Sequence, residues 1–166
     1  INRHPHVFNN VDLDMSQFEK TWEELKRDEK GETSITSGLK RIPNHLPALI
    51  KAEKIQHKAA LIGFDWDDIK DVFEKIEEEY KELLDECKQG NIKYIKEELG
   101  DLLFSIVNLA RFLHIDSEEA LNLTNQKFIN RFEFMEENAS KLHKKLEDLT
   151  LDQMEELWQS AKKNKL

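Results

Sequence analysis

An all-α fold is what this sequence predicts, on three observations. Apolar residues recur at helical spacing from about residue 48 onward, and no stretch alternates as a strand would. Helix breakers are few: five glycines and three prolines, with every proline before residue 48.

The pattern places helices near 14–29, 47–62, 67–88, 91–114, 116–139 and 150–163. Asp14, Asp67, Asp116 and either Asp148 or Thr150 stand where N-caps are needed, since their side-chain oxygens accept from the first free amides of a helix. Gly63 and Gly90 are suited to the left-handed residue that ends a helix. Residues 31–46 are rich in Gly, Ser, Thr and Pro and read as a linker, leaving 47–166 as the main domain.

A partial internal repeat is also present. Ile1-Asn2-Arg3 recurs as Ile129-Asn130-Arg131, and Asp12-Leu13, Gln17, Glu19, Trp22 and Lys26 recur in register as Asp148-Leu149, Gln153, Glu155, Trp158 and Lys162. The shared order makes residues 1–30 the expected tail of an earlier copy, and the absence of an initiator Met agrees with a fragment.

Composition narrows the function. A chain of 166 residues suits one domain plus an extra segment. Cys87 is the single cysteine, so no intrachain disulfide is possible and a reducing compartment is expected. Apolar runs reach three or four residues, whereas a membrane span needs about 20. Ile1 to His6 do not resemble a signal peptide, so a cytoplasmic protein is expected. The net charge of −9 argues against a nucleic-acid polymer as partner, though a bound cation can reverse the local sign for a small phosphate ligand. Residues 71–101 hold eleven Asp or Glu against five Lys, so most of the acid excess lies in one segment.

That segment contains Glu78-Glu79-Tyr80-Lys81-Glu82 and Glu97-Glu98-Leu99-Gly100-Asp101. Residues three or four apart share a helix face, so Glu79 neighbours Glu82 and Glu98 neighbours Asp101. A short turn at Gly90 makes the two helices antiparallel, and the two pairs can face each other. Most Glu-x-x-Glu patterns are solvated faces. Here the second helix is otherwise apolar between 99 and 113, with Asp101, Ser105, Asn108 and Arg111 its polar side chains, so partial burial of the acids is expected. Like charges held together there need a proton or a cation. Gly100 costs about 1 kcal/mol of helix propensity relative to Ala, which a close approach by another helix or a ligand would explain.

Oxygen-only donors point to Mg²⁺, with Mn²⁺ possible. No histidine completes a ferritin-like Glu-x-x-His, and no Gly-rich phosphate loop occurs, so a nucleotide would be held by metal and side chains. Lys54 and Lys58, and Lys127 and Arg131 with Asn125 nearby, are cations at one-turn spacing; each pair alone also fits ordinary surface charge. Trp66 and Trp158 are candidates for stacking on a base, although a lone tryptophan is more often core.

Taken together, several motifs resemble the MazG family of nucleoside triphosphate pyrophosphohydrolases. They are Leu46-Pro47-Ala48-Leu49 through Ala59-Ala60-Leu61-Ile62-Gly63-Phe64-Asp65-Trp66, then Glu78-Glu79-x-x-Glu82, then Glu98-x-x-Asp101-Leu102-Leu103-Phe104. Asn108-Leu109-Ala110-Arg111 and Asn125-x-Lys127-Phe128-x-x-Arg131-Phe132 complete the order, over about residues 40 to 163. The resemblance implies an all-α helical bundle whose four-helix core is completed by homodimerisation. It implies cleavage of nucleoside triphosphates to monophosphate and pyrophosphate with broad base specificity. It implies metal ligation by Glu79, Glu82, Glu98 and Asp101, with Glu78 as an outer ligand or water-orienting group. Lys127 and Arg131 would bind phosphates and Trp158 the nucleoside. Since such proteins often carry two tandem copies, it also implies that residues 1–30 close a first copy and 47–166 form the second. The alternatives are a non-catalytic or regulatory dimerisation module, and a narrower dUTP or dCTP house-cleaning pyrophosphatase.

Overall fold

The computed structural model describes residues 34–164. The expected helix at 14–29 with its cap Asp14, the tail at 1–30 and the first copy of the repeat lie outside the described residues. Those described form an all-helical chain in two compact units, divided at Ser117 and Glu118.

The first unit begins with a helix inside the segment read as a linker. Helix α1 (Ile35–Lys40) is held by a reciprocal cap: the Ser34 hydroxyl accepts from the Ser37 amide at 3.1 Å, and the Ser37 hydroxyl accepts from the Ser34 amide at 3.2 Å. Serine breaks helices internally but starts them at their ends, and composition alone does not separate the two uses.

Helix α2 (Ala48–Ala60) follows Pro47, and Gly63 in the turn beyond it has φ 87°. Helix α3 (Ile69–Gln89) is capped by Asp68, whose carboxylate accepts from the Lys70 amide at 2.8 Å. The expected cap was Asp67, and two adjacent aspartates offer the same chemistry one residue apart. Gly90, at φ 75°, ends α3, and Asn91 caps α4 (Ile92–Phe112), so the chain reverses within two residues. Helices α3 and α4 therefore pack as an antiparallel pair, with α2 also against α4.

The buried apolar residues of this unit are Ile42, Val72 and Val107. Gln56 is also buried, and its side-chain amide nitrogen donates to the Phe104 carbonyl at 2.8 Å, tying α2 to α4. Among the described residues α4 is not covered on most sides: Leu99, Leu103 and Ile106 are each more than 40% exposed, and only Ser105 and Val107 are buried. The apolar face is present in α4 but what would cover it is not among the described residues. Likewise, a Cβ added at Gly100 meets nothing within 4 Å, so no close approach among the described residues explains that glycine.

The second unit contains α5 (Ser117–Lys141), a single 3-10 turn (Leu146–Asp148) and α6 (Leu151–Lys163). Thr150, rather than Asp148, caps α6, in a capping box with Gln153. Asp148 instead accepts from the Lys145 amide at 3.2 Å and closes the 3-10 turn. Met135, Ala139, Leu149 and Ala161 are buried.

One ion pair fastens the turn between α2 and α3. The Arg111 guanidinium forks onto both carboxylate oxygens of Asp65, with Nη1 donating at 3.0 Å, while Nε and Nη2 donate to Asn108 at 3.0 and 2.8 Å. Burial works against the Asp65 charge, but the Arg111 hydrogen bond, the Trp66 amide, and the charges of Arg111 and His57 outweigh it. The carboxyl is thus held below its usual value of 3.8. A depressed carboxylate stabilises the fold above its unfolded pKa, and that stability is lost as pH falls through the folded value. Asp65→Asn should therefore cost about 2 kcal/mol at pH 7. In urea titrations the gap between the two proteins should hold down to about pH 4 and close below it. A gap that persists undiminished at pH 2 would show that Asp65 acts through its shape and not its charge.

Candidate metal and nucleotide site

The antiparallel pairing of α3 and α4 brings carboxylates from both helices to one place. One oxygen from each of Glu79, Glu98 and Asp101 lies within 4.8 Å of the others. Glu79 is buried, Glu98 half-buried and Asp101 exposed. Three of the four expected ligands therefore converge. Glu82 is exposed and stands outside this group, although it lies close enough to influence Glu98. Desolvation, followed by the charges of Glu82, Asp101, Glu79 and Glu86, raises the proton affinity of Glu98.

Lys75 was not anticipated. It lies one turn before Glu79, and its ammonium contacts Glu79 at 2.8 Å and Glu78 at 2.9 Å. Hydrogen bonds to Glu79 and then Glu78 raise its pKa far above the ordinary lysine value, so it remains charged. The i, i+4 spacing was legible, but lysines at that spacing are common on any charged helix. Glu78 is thus exposed and joined to Glu79 through Lys75.

All-oxygen donors from two helices, without a sulfur or an imidazole, make a set suited to a hard divalent cation. The crowding of negative charge around Glu98 is what such a cation would relieve.

Beside the carboxylates lies a cavity of about 790 Å³, within the range of small-molecule sites. Lys75, Glu79 and Asp101 line it on one hand, and on the other Ile62, Phe64 and Trp66 belong to a mainly apolar wall. Trp66 is 41% exposed, so it is a wall residue and not core. Arg111, Asp65 and Asn108 also reach the cavity, so the ion pair that fastens the turn also shapes this wall. Those residues stood within motifs of the sequence, but their mutual contact spans 46 positions and leaves no local signal.

The remaining expected residues are placed as follows. Lys54 and Lys58 are on α2, but the cavity is lined from that helix by Ile55, Gln56 and Ala59. Asn125 and Lys127 are exposed on α5. Arg131 lies over the Trp158 ring at 5.2 Å, and Trp158 meets Phe128 and Phe132 at 5.2 and 6.1 Å. Trp158 is therefore part of an aromatic cluster within the second unit, with Lys162 also 5.9 Å from its ring centre.

Comparison with known proteins agrees with this arrangement. Residues 68–135, which hold α3, α4 and the first part of α5, match the family model of the MazG nucleotide pyrophosphohydrolase domain. The chain is 46% identical over 162 residues to the Thermotoga maritima protein named nucleoside triphosphate pyrophosphohydrolase/pyrophosphatase MazG, covering 98% of this chain and 61% of the relative. It is 39% identical over 167 residues to the Escherichia coli K12 nucleoside triphosphate pyrophosphohydrolase, covering 99% of this chain and 64% of the relative. A Bacillus subtilis protein named YabN, uncharacterized, is 45% identical over 164 residues, which cover 98% of this chain and 33% of that protein. The chain thus spans about three-fifths of the length of the first two relatives. The segment that carries the converging carboxylates, residues 68–135, thus matches the MazG nucleotide pyrophosphohydrolase domain, and the chain is similar to proteins of that family along nearly its whole length.

Proposed function

We propose that this chain hydrolyses nucleoside triphosphates to nucleoside monophosphate and pyrophosphate, dependent on Mg²⁺ or Mn²⁺ and tolerant of the base. The observation that carries the reading is the convergence of Glu79, Glu98 and Asp101 within 4.8 Å beside a nucleotide-sized cavity. The reaction printed in the names of the relatives supports it.

Glu79, Glu98 and Asp101 would hold the cation, with Glu82, one turn from Glu79, as a further carboxylate available to it. A cation bound there would supply Lewis-acid chemistry, lowering the pKa of a water and neutralising phosphate oxygens. Glu78, joined to Glu79 through Lys75, orients the attacking water and accepts its proton. The water oxygen bonds to the α-phosphorus, the bridge to the β-phosphorus breaks, and pyrophosphate departs. Lys75 keeps its charge beside the cluster and offsets that of the departing group. Lys127 and Arg131 grip phosphate, with Asn125 beside them, and Lys54 and Lys58 add positive charge from α2. The Arg131 guanidinium lies over the Trp158 ring at 5.2 Å, and because a guanidinium makes its hydrogen bonds in its own plane, a contact through its face leaves those N–H groups for phosphate. Trp158 contacts the nucleoside. Because the grip is on the triphosphate, selectivity among bases is loose. An exposed Cys87 thiol and the lack of a helix able to cross a membrane among the described residues suit a cytoplasmic enzyme.

We also propose a homodimer. On α3, Phe73, Tyr80 and Leu84 are spaced along one face and exposed, and on α4 Ile92, Leu99, Leu103 and Ile106 do the same. Two apolar stripes of this length are a surface for a partner, and a second copy offers a matching pair.

Three measurements test these readings. Glu98→Gln and Asp101→Asn should each abolish most turnover while the helical circular dichroism is unchanged, and relief of like-charge repulsion should leave the metal-free protein no less stable. Near-normal turnover by both at saturating Mg²⁺ would sink the site, whereas no Mg²⁺-dependent monophosphate formation by the unaltered chain would favour the non-catalytic module. Arg131→Lys should lower kcat/KM by about one to two powers of ten, equally for every base, because Lys cannot fork onto two phosphate oxygens. A defect confined to one base would mean that Arg131 reads the base, and a panel that turns over only dUTP or dCTP would favour the narrower enzyme. Light scattering at micromolar concentration should give twice the chain mass; an active monomer would remove the dimer.

A further inference from the structure

One residue of the cavity wall carries a buried polar atom without a partner among the described residues. Gln56 is 6% exposed and lines the cavity from α2. Its amide orientation is fixed by chemistry, because the Phe104 carbonyl only accepts and so must face the Gln56 nitrogen, at 2.8 Å. That leaves the Gln56 oxygen, which is buried and has no hydrogen-bond partner among the described residues. An amide oxygen withdrawn from water and left without a donor is unfavourable, and such an orphan in a binding site marks a group the ligand supplies.

Of the other acceptors on the wall, those of Asn108 and Asp65 are engaged by a cation. The Asn108 oxygen accepts twice from Arg111, and the Asp65 carboxylate is held by the same guanidinium. The Ser105 hydroxyl donates to the Leu102 carbonyl at 2.9 Å. Glu79 and Asp101 belong to the carboxylate cluster. Around Gln56 the lining is apolar, with Ile55, Ala59, Ile62, Phe64 and Phe104. A flat ring suits such a wall better than a phosphate or a hydrated sugar, and a nucleobase edge carries N–H donors.

We propose that the Gln56 side-chain oxygen accepts an N–H from the edge of the nucleobase, making Gln56 the residue that recognises a base in this cavity. This rests on the reading of the cavity as a nucleoside triphosphate site. Each of the common bases carries at least one N–H, so one adaptable acceptor is compatible with broad specificity. What it selects against is a base with no donor.

The test compares ATP with purine riboside triphosphate, and CTP with its 4-deamino analogue, neither analogue having an N–H on the base. Turnover and calorimetric Kd are both measured, with Mg²⁺, on the unaltered chain and on Gln56→Met. The unaltered chain should favour the donor-bearing base about ten-fold in kcat/KM and in Kd, and Gln56→Met should treat the members of each pair alike. A purely structural Gln56 would weaken all substrates equally and leave the preference intact, which would overturn the proposal. So would equal use of both analogues by the unaltered chain, a comparison that holds even if Gln56→Met fails to fold. A preference that follows removal of the 2′- or 3′-hydroxyl, and not of the base amine, would overturn it in favour of a sugar contact. Binding with the expected preference but no turnover would leave Gln56 in place and remove the hydrolytic reading; turnover without the preference would do the reverse.

Discussion

Everything at this site depends on three carboxylates being held together by two helices that reverse over a single left-handed glycine. Gly90 allows the chain to turn back within two residues, and from that reversal Glu79 on one helix meets Glu98 and Asp101 on the other. The arrangement is electrostatically unfavourable alone, as the raised proton affinity of Glu98 records. Packing between α3 and α4 must outweigh that repulsion. Val72 and Val107, both 1% exposed, are the fully buried side chains of that pair. Lys75 lowers the cost from within, by bringing a cation to the buried Glu79. The fold is therefore built to concentrate charge that it only partly neutralises, which is the condition for binding an external cation.

Helix α4 serves two ends of the cavity. Asp101 belongs to the carboxylate cluster, and Arg111, near its end, holds Asp65 and so the turn that carries Phe64 and Trp66. The metal side and the aromatic wall are thus coupled through one rigid element and not through a flexible loop. Between them Gln56 and the Phe104 carbonyl fix α2 to the same helix. A displacement of α4 would move all three features together, which keeps their spacing constant.

The helices were legible in the sequence because periodicity and caps are local, and the five expected within the described residues are found with small shifts at their ends. The misplacements have local causes: Asp67 and Asp68 are chemically equal caps, and Ser34 with Ser37 can break a helix or begin one. The carboxylate cluster was legible for the same reason, since two one-turn pairs and a glycine turn nearly determine it. What was not legible depends on distance along the chain or on the rotamer chosen. The Asp65–Arg111 pair and the Gln56–Phe104 bond span more than 40 residues, and Lys75 is distinguished only by the rotamer that brings it to Glu79. The apolar character of α4 was legible in the sequence, but sequence cannot say whether its exposed residues are covered, or by what.

The acidity of the chain is consistent with an anionic substrate once the location of charge is considered. Three of the acids in residues 71–101 are the converging carboxylates, so the segment that repels phosphate in isolation would attract it with a divalent cation bound there. Lys75 shows the same logic at smaller scale. It is placed to compensate the buried Glu79, yet its charge remains inside the cavity, where it faces whatever anion enters. A site built with permanent lysines and arginines throughout would bind phosphate without metal, and would bind product pyrophosphate as firmly as substrate. With carboxylates at its centre, most of the positive field of the site would come and go with a bound cation, Lys75 aside. Without that cation, a net charge of −9 would repel a phosphate anion from the chain.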